Sequence, residues 1–205
     1  MTTTAQTASG EIGDWLEERQ QRFISIADQI WERPELALAE HFACQLQADD
    51  LAQDGFTITR NVGDLPTAFM AEWTQGEGGP IIGFLGEYDA LPGLSQVRGP
   101  GQEPIVADGP GHGCGHNLLG TAALAATSVL KAYLTHTGQA ATVRYYGCPA
   151  EETCEGKVFM ARAGAFDDLD AAITWHPGFN TSVWASSSNA ATARSTIWPV
   201  SFRTA

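Results

Sequence analysis

Apolar residues at Ile12, Trp15, Leu16, Phe23, Ile26 and Ile30 fall close to one helical face, apart from one gap, and predict an amphipathic helix over 11–31. Arg33-Pro34 ends it, because a residue before proline is pushed out of helical dihedrals. A second helical pattern covers about Leu36 to Gln53 and closes at Asp54-Gly55. Short β-rich runs follow at Phe56–Val62 and Thr67–Trp73, and Gly76, Gly78, Gly79 and Pro80 mark the next turn. Residues 1–10 read as a flexible N-terminus.

Three later segments share a form. Ile81–Leu85 is a short apolar run that ends in Gly86-Glu87-Tyr88-Asp89. Ala141–Tyr146 ends in Gly147-Cys148-Pro149-Ala150-Glu151-Glu152, and Ala171–Trp175 ends in His176-Pro177. Between the first two lies a nearly all-round apolar stretch, about Leu118 to Leu134, which predicts a buried helix. Strands alternating with helices predict an α/β sheet with parallel pairs. Ligands of such sheets bind beyond the carboxyl ends of the strands, and all three predicted strands end in acids or a histidine. No internal repeat or low-complexity tract interrupts this order.

Hydrophobic residues make up 43% of the 205 and charged residues 17%, against a usual charged share of about 25%. That balance favours a buried interior over disorder. The 24 acidic and 11 basic residues leave a formal net charge of -13 with no cluster of Lys and Arg. Phosphate backbones need such a cluster, so the sequence argues against nucleic acid and against an anionic membrane surface as partners. MTTTAQTASG lacks the basic start and apolar core of a signal peptide. No run approaches the roughly 18 apolar residues of a membrane span, and the expected location is cytoplasmic. The four cysteines then read as free thiols or metal ligands rather than disulfides, with Cys44 a small core residue.

The densest chemistry is Gly111-His112-Gly113-Cys114-Gly115-His116-Asn117, directly before the buried helix. A thiolate and an imidazole two residues apart suit one borderline-soft cation such as zinc. Taken alone, a Gly-rich loop before a helix is also a phosphate cradle, although it lacks dinucleotide spacing and a nucleotide-binding lysine. Glu151-Glu152 is the second piece. Adjacent strand residues point to opposite faces, so both serve one site only where the strand breaks, and Pro149 argues that it breaks here. One carboxylate then ligates metal while its neighbour acts as general base; on its own the pair also suits an exposed loop. His176 is the third piece, at the end of the third strand. Asp89 and Glu87 end the first, where either can accept a hydrogen bond from a ligand histidine, or serve only a turn. Cys148 and Cys154 match no zinc ribbon and read as incidental thiols. His112 reads as a loop-spacing residue.

Together, GEYDALPGLSQ (86–96), GHGCGHNLLGTAA (111–123), PAEETCEGK (149–157) and TWHPG (174–178), with PEL at 34–36 and Glu40 following, resemble one metallopeptidase family. That family groups carboxypeptidase G, aminoacylase, hippurate hydrolase and auxin-conjugate amidohydrolases; the likeness is nearest to its aminobenzoyl-glutamate hydrolases. The resemblance covers about residues 15 to 180. It implies an α/β fold, the N-terminal part of a zinc-peptidase-like catalytic domain with a mixed, mostly parallel sheet flanked by helices. It implies one or two divalent ions, zinc or manganese, with Cys114 bridging the pair and His116, Glu152 and His176 as further ligands. Glu151 would be the general base, Asp89 a nearby acid and Glu87 another, outside the ligand set. The implied reaction is hydrolysis of the amide bond of an acyl- or aminobenzoyl-amino acid or a dipeptide-like substrate. A homodimer or a related A subunit is the implied partner.

The chain departs from the family in two places. Members carry an inserted lid or dimerisation domain and a later stretch that supplies one more histidine ligand; neither is present here. Residues 11–193 therefore read as a partial catalytic domain and 194–205 as a divergent tail. A non-catalytic metal-binding remnant is the alternative reading of the same residues. A nucleotide- or phosphate-binding module built on the Gly-rich loop is a third.

Overall fold

The computed structural model describes residues 2–177. The chain opens with helix α1, Thr2–Glu32, so residues 2–10, expected as a flexible lead-in, continue the predicted helix. Propagating a formed helix adds one hydrogen bond per residue fixed, which this polar stretch permits without apolar periodicity. Phe23, Ile26, Ala27 and Ile30 are its buried face, with Trp15 and Leu16 packed beside them.

Helix α2 spans His41–Gln53, five residues later than its apolar pattern begins. The delay has two causes. Leu36 forms a bridge with Ala90, and Leu38 sits at φ 64, a left-handed conformation that a helix cannot contain. Glu35 then caps the helix from a distance: its Oε1 and Oε2 accept from the Phe42 and Ala43 amides at 2.9 and 3.0 Å. These amides belong to the orphan donors of a helix start.

Five strands follow: β1 Thr57–Arg60, β2 Phe69–Gln75, β3 Ile81–Glu87, β4 Ala141–Cys148 and β5 Ala171–Ile173. A short 3-10 turn, Val62–Asp64, joins the first two. Helix α3, His116–Thr137, crosses between β3 and β4; α4, Glu151–Cys154, and α5, Gly156–Arg162, lie between β4 and β5. The sheet order is β1-β2-β4-β3-β5. β1 and β2 run antiparallel, as do β2 and β4, whereas β3 is parallel to both β4 and β5. The mixed sheet flanked by helices is the expected architecture. Its parallel part consists of the three strands whose ends carry acids or a histidine.

Both faces of the sheet are covered, which explains why β3 and β4 read as near-continuous apolar runs. On one face α1, α2 and α3 close over Phe69, Phe84, Val143 and Tyr145 in the main core. Ile30, Leu51 and Leu124 are fully buried there, each contributing roughly 1.5–3 kcal/mol of transfer free energy. On the other face Met160 of α5 meets Leu65, Ala68, Tyr146 and Cys148 in a smaller cluster. Helix α3 is, by length and composition, long and apolar enough to cross a membrane, contrary to the reading of its sequence. Half of that window is buried in the protein, against the sheet and α1, as in the core helix of a globular domain.

Candidate metal centre

The site gathers where β3, β4 and β5 end and α3 begins. Gly115 precedes α3 in the left-handed region, φ 82, which a residue with a Cβ adopts only with strain. At Gly111 a side chain would overlap the Leu94 carbonyl oxygen, so the loop passes through a space that admits only backbone. This path brings Cys114 and His116 together at the head of α3.

His116 is fully buried. Its Nδ1 lies 2.9 Å from Asp89 Oδ1, so Nδ1 carries a proton and Nε2 is the ring nitrogen left to meet a ligand. Asp89 is also buried, and its other oxygen accepts from the Glu152 amide at 2.9 Å. One carboxylate therefore fixes both the ring of α3 and the turn after β4. His176 is arranged the same way: Nδ1 lies 2.8 Å from the Pro177 carbonyl, an acceptor, and Nε2 points at Cys114 Sγ, 3.0 Å away. The two rings stand edge to face, 5.9 Å between centroids.

Around the His116 Nε2 atom stand Glu87 Oε2 at 3.1 Å, Glu152 Oε1 at 3.8 Å and Glu151 Oε2 at 4.0 Å. None makes a hydrogen bond to it, and His116 Nε2 and Glu152 Oε1 are both buried without a partner. Ligand atoms of Cys114, His116 and His176 lie within 4.8 Å of one another, as do those of Glu87, His116 and Glu151. Two imidazole lone pairs, a thiol and converging carboxylates form a donor set that fits a divalent cation. Sequence reasoning overlooked Lys157, whose ammonium bonds to Glu87 Oε1 and offsets one of the acids. A lysine six residues after Glu151 carried no local signal; only the turn of α5 brings it back.

The electrostatics lead to the same conclusion. Burial, the Glu152 hydrogen bond, and the charges of Glu152, Glu151 and Glu87 push the Cys114 thiol up to about 12. A nearby cation reverses that effect, because a coordinating thiol is deprotonated outright. Burial lowers the His116 pKa, but the Asp89 bond and the charges of Asp89, Glu87 and Glu152 outweigh it and carry it above the ordinary histidine value. His112 is buried, and mainly for that reason its pKa falls to about 4, leaving it neutral near pH 7. Cys44 and Cys148 are buried free thiols that belong to neither donor group; Cys154's side chain and the tail at 194–205 lie outside the described residues.

Comparison with known proteins agrees with this architecture. The chain is 54% identical over 167 residues to the B subunit of p-aminobenzoyl-glutamate hydrolase of Escherichia coli (strain K12), covering 81% of this chain and 34% of that protein. It is 35% identical over 178 residues to the Xaa-Arg dipeptidase of Mus musculus, covering 79% and 36%. The chain thus spans about a third of the length of these curated relatives. A crystal structure from Bacillus subtilis, described as a dinuclear metal binding peptidase from the M20 family, superposes with a TM-score of 0.63 at 30% identity. That match covers 76% of this chain and 42% of the other. An aminobenzoyl-glutamate utilization protein of Klebsiella pneumoniae shares the fold, with a TM-score of 0.58 at 18% identity, over 80% and 46%. The sequence pattern of peptidase family M20/M25/M40 matches residues 83–190, from β3 past His176, and the chain belongs to that family.

Proposed function

We propose that this chain carries the metal-binding part of an amidohydrolase that cleaves acyl- or aminobenzoyl-amino acids of the p-aminobenzoyl-glutamate type. The observation that carries the reading is the shared orientation of His116 and His176. Each has its Nδ1 committed elsewhere; the His176 Nε2 turns toward Cys114, and the His116 Nε2 faces the glutamates. Cys114, His116, Glu152 and His176 would hold one or two zinc or manganese ions. Bound divalent ions polarise an amide carbonyl and lower the pKa of water.

The protein side of the reaction falls to Glu151. Its side chain is 40% exposed, unlike the buried acids behind it, so it reaches solvent and substrate while facing the donor set. In this proposal it accepts a proton from the attacking water and delivers it to the leaving nitrogen as the amide C–N bond breaks. Asp89 holds His116 and the Glu152 turn in place, and Glu87, paired with Lys157, adjusts the local charge. A homodimer or a related A subunit, and a cytoplasmic location, belong to the same proposal. The relatives' names support the substrate class.

The test is metal content per chain on monodisperse protein, with Cys114→Ser beside wild type, followed by release of free amino acid from p-aminobenzoyl-glutamate. One or two zinc or manganese ions, lost in Cys114→Ser, and turnover abolished by Glu151→Gln are the expected results. Turnover that survives Glu151→Gln sinks the assigned base. Metal uptake without turnover on any acyl-amino acid favours the binding remnant.

A further inference from the structure

Glu40 stands directly before α2, where a side chain ordinarily caps its own helix, yet it makes no capping bond. Glu35 does that work instead. The Glu40 carboxylate is fully buried and bonds in two other directions. Oε2 accepts from Thr67 Oγ1 at 2.8 Å, and Oε1 accepts from the Ala150 amide at 2.8 Å. Among the described residues no cation pairs with it, and burial raises its pKa despite these bonds. Keeping an unpaired carboxylate in the interior is costly unless its acceptors are used.

Ala150 shows what the bond holds. It sits at φ 56, ψ 40, the left-handed region, at the turn between β4 and α4. A non-glycine residue is strained there and persists only where its surroundings over-determine it. Glu40 grips the amide of Ala150, and the Gly156 amide donates to its carbonyl at 3.3 Å. This turn lets the adjacent residues Glu151 and Glu152 both face the donor set, which a continuing strand would forbid.

We propose that Glu40 is a positioning residue for the carboxylate half of the metal centre, acting through the Ala150 amide. The inference rests on the reading that Glu151 and Glu152 serve a metal site. Glu40 belongs to neither donor group; it sets the path of the backbone that presents Glu151 and Glu152.

The test uses the whole chain and cobalt(II) alone as probe. Two variants separate geometry from charge. Glu40→Gln keeps both bonds, with Oε1 accepting from Ala150 and Nε2 donating to Thr67. Glu40→Asp keeps the buried charge and a fold close to wild type, but its carboxylate is one methylene short of the Ala150 amide. Cobalt binding is followed by total affinity and by the thiolate-to-cobalt absorption band of Cys114, which reports the α3 half separately. Glu40→Asp is expected to weaken uptake roughly 10- to 100-fold, as outer partners of metal ligands do, with the Cys114 band intact at saturation. Glu40→Gln is expected to match wild type. Unchanged affinity in Glu40→Asp overturns the role of Glu40 while leaving the metal reading standing. So does a loss of the Cys114 band in step with affinity, since that marks general unfolding. Wild-type protein that takes up no cobalt overturns the metal reading and this inference with it.

Discussion

His116 and His176 offer the same atom to the same place, and their surroundings could hardly differ more. His116 is fully buried at the head of a long core helix, its ring held by Asp89 and faced by Glu87. His176 is exposed, follows a three-residue edge strand, and is oriented by the carbonyl of its own neighbour Pro177. The inner half is set by packing and by hydrogen bonds to distant segments. The outer half is set by that carbonyl, by Cys114 and by one anchor beside the ring, the Trp175 indole donating to the Leu119 carbonyl of α3 at 3.1 Å. The centre is therefore built on one preorganised ligand, and the exposed one joins it at lower cost in desolvation. Opening of β5 would move His176 without disturbing His116.

The largest expected effect separates the two rings. His116→Ala removes the ligand that belongs to both donor groups, so metal uptake should vanish. Zinc at about 100 times its dissociation constant stabilises a binding protein by about 2.7 kcal/mol; that gain should appear in thermal unfolding of wild type and be lost in the variant. His176→Ala leaves His116, Cys114 and the carboxylates, so it should retain a weakened but measurable gain. Equal losses in the two variants would erase the distinction between the halves.

Next comes Asp89→Asn. The asparagine oxygen can accept from the Glu152 amide, but its NH2 then faces His116 and forces the ring proton onto Nε2, where the lone pair is needed. Metal affinity should fall roughly 10- to 100-fold by calorimetric titration, while His176 is untouched. Asp89→Ala should in addition destabilise metal-free protein by about 1–3 kcal/mol, because the Glu152 amide loses its acceptor. Affinity unchanged in Asp89→Asn would mean that His116 is not held by its tautomer.

The contrast between the halves also marks what can be read from the sequence. The parallel strands and the core helix are legible because their apolar runs are local and end in turn residues, and strand ends are where α/β sites form. Glu151, Glu152 and His176 fall at such ends, and the resemblance to a known family joins Cys114 and His116 to them. The partners that hold them cannot be read this way. Asp89 bonding at once to α3 and to the turn after β4, Lys157 returning to Glu87, and Glu40 reaching Ala150 are contacts across the fold with no periodic signature. The apolar pattern starts α2 too early for a related reason. It continues through Leu36 and Leu38, but pairing with Ala90 and the left-handed backbone override it. Helices α4 and α5 are too short for a helical period to show.

The smallest expected effect concerns the approach to the outer half. Arg144 on β4 donates to Asp168 Oδ1 and Oδ2 at 2.6 and 2.8 Å and to Glu72 on β2 at 2.6 Å. It fastens the segment before β5 to the sheet. The Arg144 hydrogen bonds hold the Asp168 carboxyl below its ordinary value of 3.8. A depressed folded-state pKa stabilises the fold above the unfolded pKa, and that contribution is lost as pH falls through the folded one. Asp168 is about half exposed, so solvent screening limits the pair to less than about 1 kcal/mol. Urea unfolding of metal-free Asp168→Asn should show a slightly lower midpoint than wild type near pH 7, and the difference should close below about pH 4 and in high salt. Because only the lead-in to β5 loosens, metal affinity should change far less than in Asp89→Asn. If it falls as far, His176 depends on distant anchoring as strongly as His116 does, and the contrast between the halves fails.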